Sequence, residues 1–150
     1  MNKINTYFNK SLGSLFLSLS ILAAPIASLV VPAQTAAARS PMFVAMTNSA
    51  SANALVAYAP DGTLVGTFST NGKGGAGGNA GAVQAQGDLV AVPDFGSNDV
   101  AIFQRTGNSF KLRNNITTAA APVSVAFGGH HLYVLEANKV ESFMFKGASA

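Results

Sequence analysis

Asp94 and Asp99 flank the segment Phe95-Gly96-Ser97-Asn98. Two carboxyl groups held at one turn can do acid and base work, one of them activating a water against a lactone carbonyl. The same spacing suits a plain turn, because Asp and Asn side chains accept bonds from nearby backbone amides. His130 and His131 are the only histidines. A metal site wants three or four converging ligands, and adjacent strand residues point to opposite faces. The pair therefore reads as the rim of a Gly128-Gly129 turn, with a proton-transfer role open to His130. Arg105 and Arg113 carry forked donors that fit a carboxylate or phosphate, although on alternating strands such residues are ordinarily solvated. The candidate catalytic set is Asp94, Asp99, His130 and Arg105, with no metal and no cofactor expected.

Three other patterns lead nowhere so definite. Gly72-Lys73-Gly74-Gly75-Ala76-Gly77 satisfies G-x-G-x-x-G, and Asp94 lies beyond it where a ribose-binding acid would stand. A dinucleotide site needs a helix opening on those glycines, whereas Ala82 onward is short and β-like, so a loop between strands is the better reading. Serines are plentiful, but neither spacing nor a nucleophile-elbow motif selects one. Asn115-Ile116-Thr117 is a sequon, meaningful only in a eukaryotic secretory pathway.

The elements that must position these residues follow from internal periodicity. Asn53-Ala-Leu-Val-Ala-Tyr58, Asn98-Asp-Val-Ala-Ile-Phe103 and Asn138-Lys-Val-Glu-Ser-Phe143 share Asn, an aliphatic residue two positions on and an aromatic three further on. Each follows a four-residue apolar run, namely Phe43–Met46, Leu89–Val92 and Leu132–Leu135, and short apolar runs bounded by turn formers predict buried strands. Each repeat of about 44 residues thus contains a β-hairpin. Further strands are expected over Thr63–Ser69, Ala82–Ala85, Phe110–Thr118 and Val123–Phe127. Phe43, Tyr58, Phe68, Phe103, Phe127, Tyr133 and Phe143 are expected to pack between sheets. The fold class is all-β, a partial β-propeller of four-stranded antiparallel repeats over about 42–80, 81–120 and 121–150.

Val92-Pro-Asp-Phe-Gly-Ser-Asn-Asp-Val-Ala-Ile-Phe103, followed by Ala121-Pro-Val-Ser-Val-Ala-Phe127, resembles the lactonase-type seven-bladed propellers. That group includes 6-phosphogluconolactonases and a fungal carboxymuconate cycloisomerase. The resemblance covers roughly residues 42 to 147 and implies lactone hydrolysis by acid, base and Arg residues facing a central channel, with a small lactone or sugar acid as ligand. This chain carries Ala80-Gly-Ala-Val83 where the family often has Pro-His-x-Val. About 112 residues beyond the N-terminal segment make roughly two and a half blades, whereas closed propellers have at least four. The expectation is a truncated member, or a unit that assembles with other copies of itself or another protein, acting as a non-catalytic binding or scaffold module. The alternative is a lactone hydrolase completed by further blades or by oligomerisation.

Residues 1–38 read as a signal peptide, and 39–150 as the propeller segment. Lys3 and Lys10 precede an uncharged apolar stretch from Leu12 to Val31, and small residues follow up to Ala38. Twenty uncharged residues are also long enough for an anchor, which Pro25 and the serines weaken. Export to a periplasm or the outside is expected, with no membrane contact after cleavage. Of nine basic residues, Lys3 and Lys10 fall in this segment, leaving seven against six acidic ones. So even a balance of charge leaves nucleic-acid binding almost without support. No cysteine is present, so packing and sheet hydrogen bonds carry the fold.

Overall fold

The computed structural model describes residue 40, residues 42–77 and residues 81–145. The expected signal segment, 1–38, lies outside them. Among the described residues no helix is long and apolar enough to cross a membrane.

Valine, isoleucine, leucine and phenylalanine alternate with smaller or polar residues between Gly, Asn and Asp turns, and the described residues form ten strands. They are β1 (Phe43–Met46), β2 (Ala54–Tyr58), β3 (Leu64–Ser69), β4 (Gln84–Gln86), β5 (Leu89–Asp94), β6 (Asp99–Thr106), β7 (Ser109–Thr117), β8 (Pro122–Gly128), β9 (His131–Glu136) and β10 (Val140–Met144), with a 3-10 turn at Phe95–Ser97. Neighbours in sequence pair antiparallel into three sheets ordered β1-β2-β3, β4-β5-β6-β7 and β8-β9-β10. The chain is thus all-β and built of repeated sheets. Strand Ala82–Ala85 begins two residues later than expected, and the Gly128-Gly129 turn is a Gly129-His130 turn, since Gly128 pairs with His131.

Register confirms the repeat and corrects its alignment. Met46 pairs with Leu55, Pro93 with Val100 and Leu135 with Val140, and each second partner stands two residues after a motif asparagine. The middle run equivalent to Phe43–Met46 and Leu132–Leu135 is therefore Val90–Pro93, one residue later than Leu89–Val92. In a strand that single step exchanges the two faces. A bulge recurs at one motif position, between Ala57 and Tyr58 against β3 and between Ile102 and Phe103 against β7.

The middle sheet is buried on both sides. Val90, Val92, Ala101, Phe103 and Phe110 meet Leu55 and Ala57 of the first sheet. Leu89, Ala91, Val100 and Ile102 meet Val125, Leu132 and Val134 of the third. Every residue of β5 is buried, as a strand covered on both faces requires. Phe68 and Phe110 add an edge-to-face contact at 5.4 Å between the first two sheets. Three of the aromatics expected to pack between sheets do not. Phe43 is 65% and Tyr133 43% exposed, and Tyr58, paired with Phe43, is half-buried, because each lies on an outer face that no sheet covers among the described residues.

Phe103→Ala is expected to cost about 3–5 kcal/mol, the usual loss when a buried phenylalanine is truncated. Urea unfolding followed by circular dichroism measures it, and a loss below about 1 kcal/mol would contradict the two-sided core.

Candidate functional site

Strand ends gather the polar residues at two opposite poles. One pole carries the β1–β2, β5–β6 and β9–β10 connections, and the other the β4–β5, β6–β7 and β8–β9 turns. A six-residue strand such as β5 separates them by roughly 17 Å.

Asp94 closes β5 and Asp99 opens β6, so the two carboxylates face each other across one register pair at the first pole. Asp94 is fully buried. Its Oδ1 accepts from Asn53 Nδ2 at 2.8 Å and from the Thr70 hydroxyl at 2.8 Å. Asn53 stands just before β2 and Thr70 just after β3, so the first sheet supplies both donors. Asn53 Oδ1 in turn accepts from Thr47 Oγ1, the Asn48 amide and the Ala54 amide. Asn115 Nδ2 donates to the Thr70 carbonyl and to Asp99 Oδ1, both at 3.0 Å. The cluster fastens one repeat to the next.

Asp94 Oδ2 has no partner and is sealed from solvent. A Cβ on Gly72 would lie 2.3 Å from it, so a glycine must cap the carboxyl. Burial, against the lowering pull of Asn53 and Thr70 and with Asp99 adding a little, raises the Asp94 pKa from an ordinary 3.8 to about 6. Under this lid the carboxyl joins the first sheet to the middle one through Asn53 and Thr70.

The glycine-rich segment is a clamp. Five successive amides are all engaged within the protein: Gly72 with Thr70 Oγ1, Lys73 with Ser97 Oγ, Gly74 with the Ser49 carbonyl, and Gly75 and Ala76 with Asn48 Oδ1. None of these five is left to cradle a phosphate, and among the described residues no helix follows. A Cβ on Gly74 would come within 2.6 Å of the Asn48 backbone, so the glycines serve close approach of chain to chain.

Arg105 and His130 lie at the other pole. Arg105 donates from Nε to the Gly107 carbonyl at 2.9 Å and from a terminal nitrogen to the Ser40 carbonyl. His130 is exposed at its turn and offers its carbonyl to the Phe145 amide, while His131 stacks on Tyr133. Arg113 is exposed on β7. The four candidate residues thus form one carboxylate pair and two separate groups at the far end.

A cleft of about 410 Å³ opens beside β1, lined by Ala45, Met46, Asn48, Ala76, Gly81, Ala82 and Val83. Among the described residues no acid, base or nucleophile lines it. Among the described residues no group of three His, Cys, Asp or Glu side chains could hold a metal.

Glu136, which the sequence reading passed over, closes β9 at the position Asp94 holds in β5. It is 2% exposed, and neither carboxylate oxygen has a hydrogen-bond partner. Burial and then the neighbouring Glu141 carboxylate raise its pKa. Lys139 pairs with Glu141 at 2.7 Å and holds that carboxyl low. Asn53 and Thr70 were also missed as site residues. Glu136 was legible as the acid that ends an apolar run, as Asp94 does, while the roles of Asn53 and Thr70 depend on contacts across 41 and 24 positions of sequence.

No protein-family model, curated protein or solved structure matches this chain.

Gly72→Ala is expected to destabilise the fold by about 1–3 kcal/mol, because the methyl group must push Asp94 aside. Urea denaturation checks it, and a neutral result would remove the cap. A second prediction concerns pH. Between about pH 4 and 6 the folded chain keeps a proton on Asp94 that the unfolded chain releases, so the stability this group contributes falls as pH rises through that window. Asp94→Asn removes that ionisation. Melting temperatures at pH 4.5 and 7.5 should show a smaller loss for the variant than for the parent, and equal losses would contradict the raised pKa.

Proposed function

We propose that this chain is an exported, lactonase-like β-propeller segment acting as a non-catalytic binding or scaffold module. The supporting observation is the division of its titratable groups. Asp94 is buried beneath Gly72, while Arg105 and His130 stand at the opposite ends of the strands. A hydrolytic site needs acid, base and anion-binding groups within reach of one carbonyl. The cleft beside β1, lined by Asn48 and by small or apolar residues, brings no acid, base or nucleophile among the described residues to a bound molecule. The export part of the reading rests on the Lys3, Lys10 and Leu12–Val31 pattern.

The alternative is a lactone hydrolase of the 6-phosphogluconolactonase type. It draws on the Asp94–Asp99 pair, whose raised pKa at Asp94 is what a general base near neutral pH has.

Hydrolysis of glucono-δ-lactone and 6-phosphogluconolactone, followed by proton release, separates the two readings. The expected rate equals that of buffer alone, and Asp99→Asn and His130→Ala leave it unchanged. Turnover that falls at least tenfold in either variant would establish the hydrolase instead.

A further inference from the structure

The exposed apolar side chains are unevenly placed. Among the described residues Phe43, Leu64 and Val65 on the first sheet, and Tyr133, Leu135, Val140 and Met144 on the third, are the exposed large hydrophobics, and the middle sheet has none. Tyr133, Leu135, Val140 and Met144 share the outer face of the third sheet, since Val140 pairs with Leu135 and alternate residues of β9, Leu132 and Val134, point into the core. Phe43, Tyr58 and Leu64 share the outer face of the first sheet, because Tyr58 pairs with both of the others. Ser142 and His131 share the third sheet's face and Thr67 the first's, but no Asp, Glu, Lys or Arg of these strands lies on either, although an antiparallel sheet that faces water ordinarily alternates apolar with polar residues.

The repeat register says what each face is built to meet. Tyr133 and Val140 hold the positions of Ala91 and Val100, by which the middle sheet covers the third. Phe43 and Tyr58 hold the positions of Val90 and Phe103, by which the middle sheet covers the first. One outer face therefore repeats the donor side, and the other the acceptor side, of an interface the chain already forms twice within itself. A second copy supplies the complement of each.

We infer that two copies of this chain associate head to tail, the third sheet of each covering the first sheet of the other. The inference rests on the repeat reading above and names the partner of that module. Both contacts form at once in such a pair, so the assembly closes, and its six sheets fall within the four to eight that propeller rings use.

Light scattering on the full chain tests this, with circular dichroism on the same sample. The expected mass is twice that of one chain. Val140→Lys on the third sheet and Phe43→Lys on the first should each weaken the dimer roughly a hundredfold or more, leaving β-rich monomers, because each puts an unpaired charge into both contacts. Leu135→Lys and Leu64→Lys repeat the test at a second site on each face. A folded monomer, or a mass that grows without limit, overturns the inference, the first meaning that the faces await a partner of different sequence. A dimer broken from one face alone also overturns it, because that result belongs to a face-to-face pair. A chain without β-sheet signal would overturn the repeat reading beneath it.

Discussion

Burial of the middle sheet on both faces is the constraint from which the rest follows. A strand covered on two sides has no solvent face on which to place polar residues, so β5 runs Leu-Val-Ala-Val-Pro and reaches its first titratable group, Asp94, only at its end. Polar chemistry is displaced to the poles of the strands. The outer sheets, covered on one side only, keep the apolar residues of a covered strand on a face that nothing covers among the described residues.

At the first pole the fastening of one repeat to the next is polar and buried. Asn53 and Thr70 donate to a single oxygen of Asp94, and the second oxygen lies against Gly72. A buried carboxyl with one unsatisfied oxygen favours its protonated form, which is why desolvation outweighs two hydrogen bonds that stabilise the anion. The next repeat places Glu136 at the same position, without the Asn and Thr donors, and leaves both of its oxygens unpartnered. The same backbone position therefore carries an acid in both repeats, hydrogen-bonded through one oxygen in the first and through neither in the second.

The motif asparagines show how one residue type divides its labour. Asn53 is buried and bonds across the sheets, whereas Asn98 takes a left-handed conformation at a turn and Asn138 is exposed. A shared letter at a shared position reflected the backbone's need for a turn former, and side-chain contacts then gave each copy its own role.

Strand content, hairpins and repeat length were legible in the sequence because alternation, turn residues and the spacing of Asn53, Asn98 and Asn138 are local patterns. The alignment of the runs was not, since Leu89–Val92 and Val90–Pro93 are equally apolar and only cross-strand pairing tells which face each residue takes. The candidate carboxylates Asp94 and Asp99 stood out because they flank a turn. That Asp94 is capped by Gly72, and that Arg105 and His130 sit at the far pole, depends on residues distant in sequence meeting in space. Local patterning was enough to require repeated antiparallel sheets. Tertiary packing alone decided which acid is sealed, which glycines must stay bare and which apolar faces are left open, because burial is a property of neighbours and not of residues.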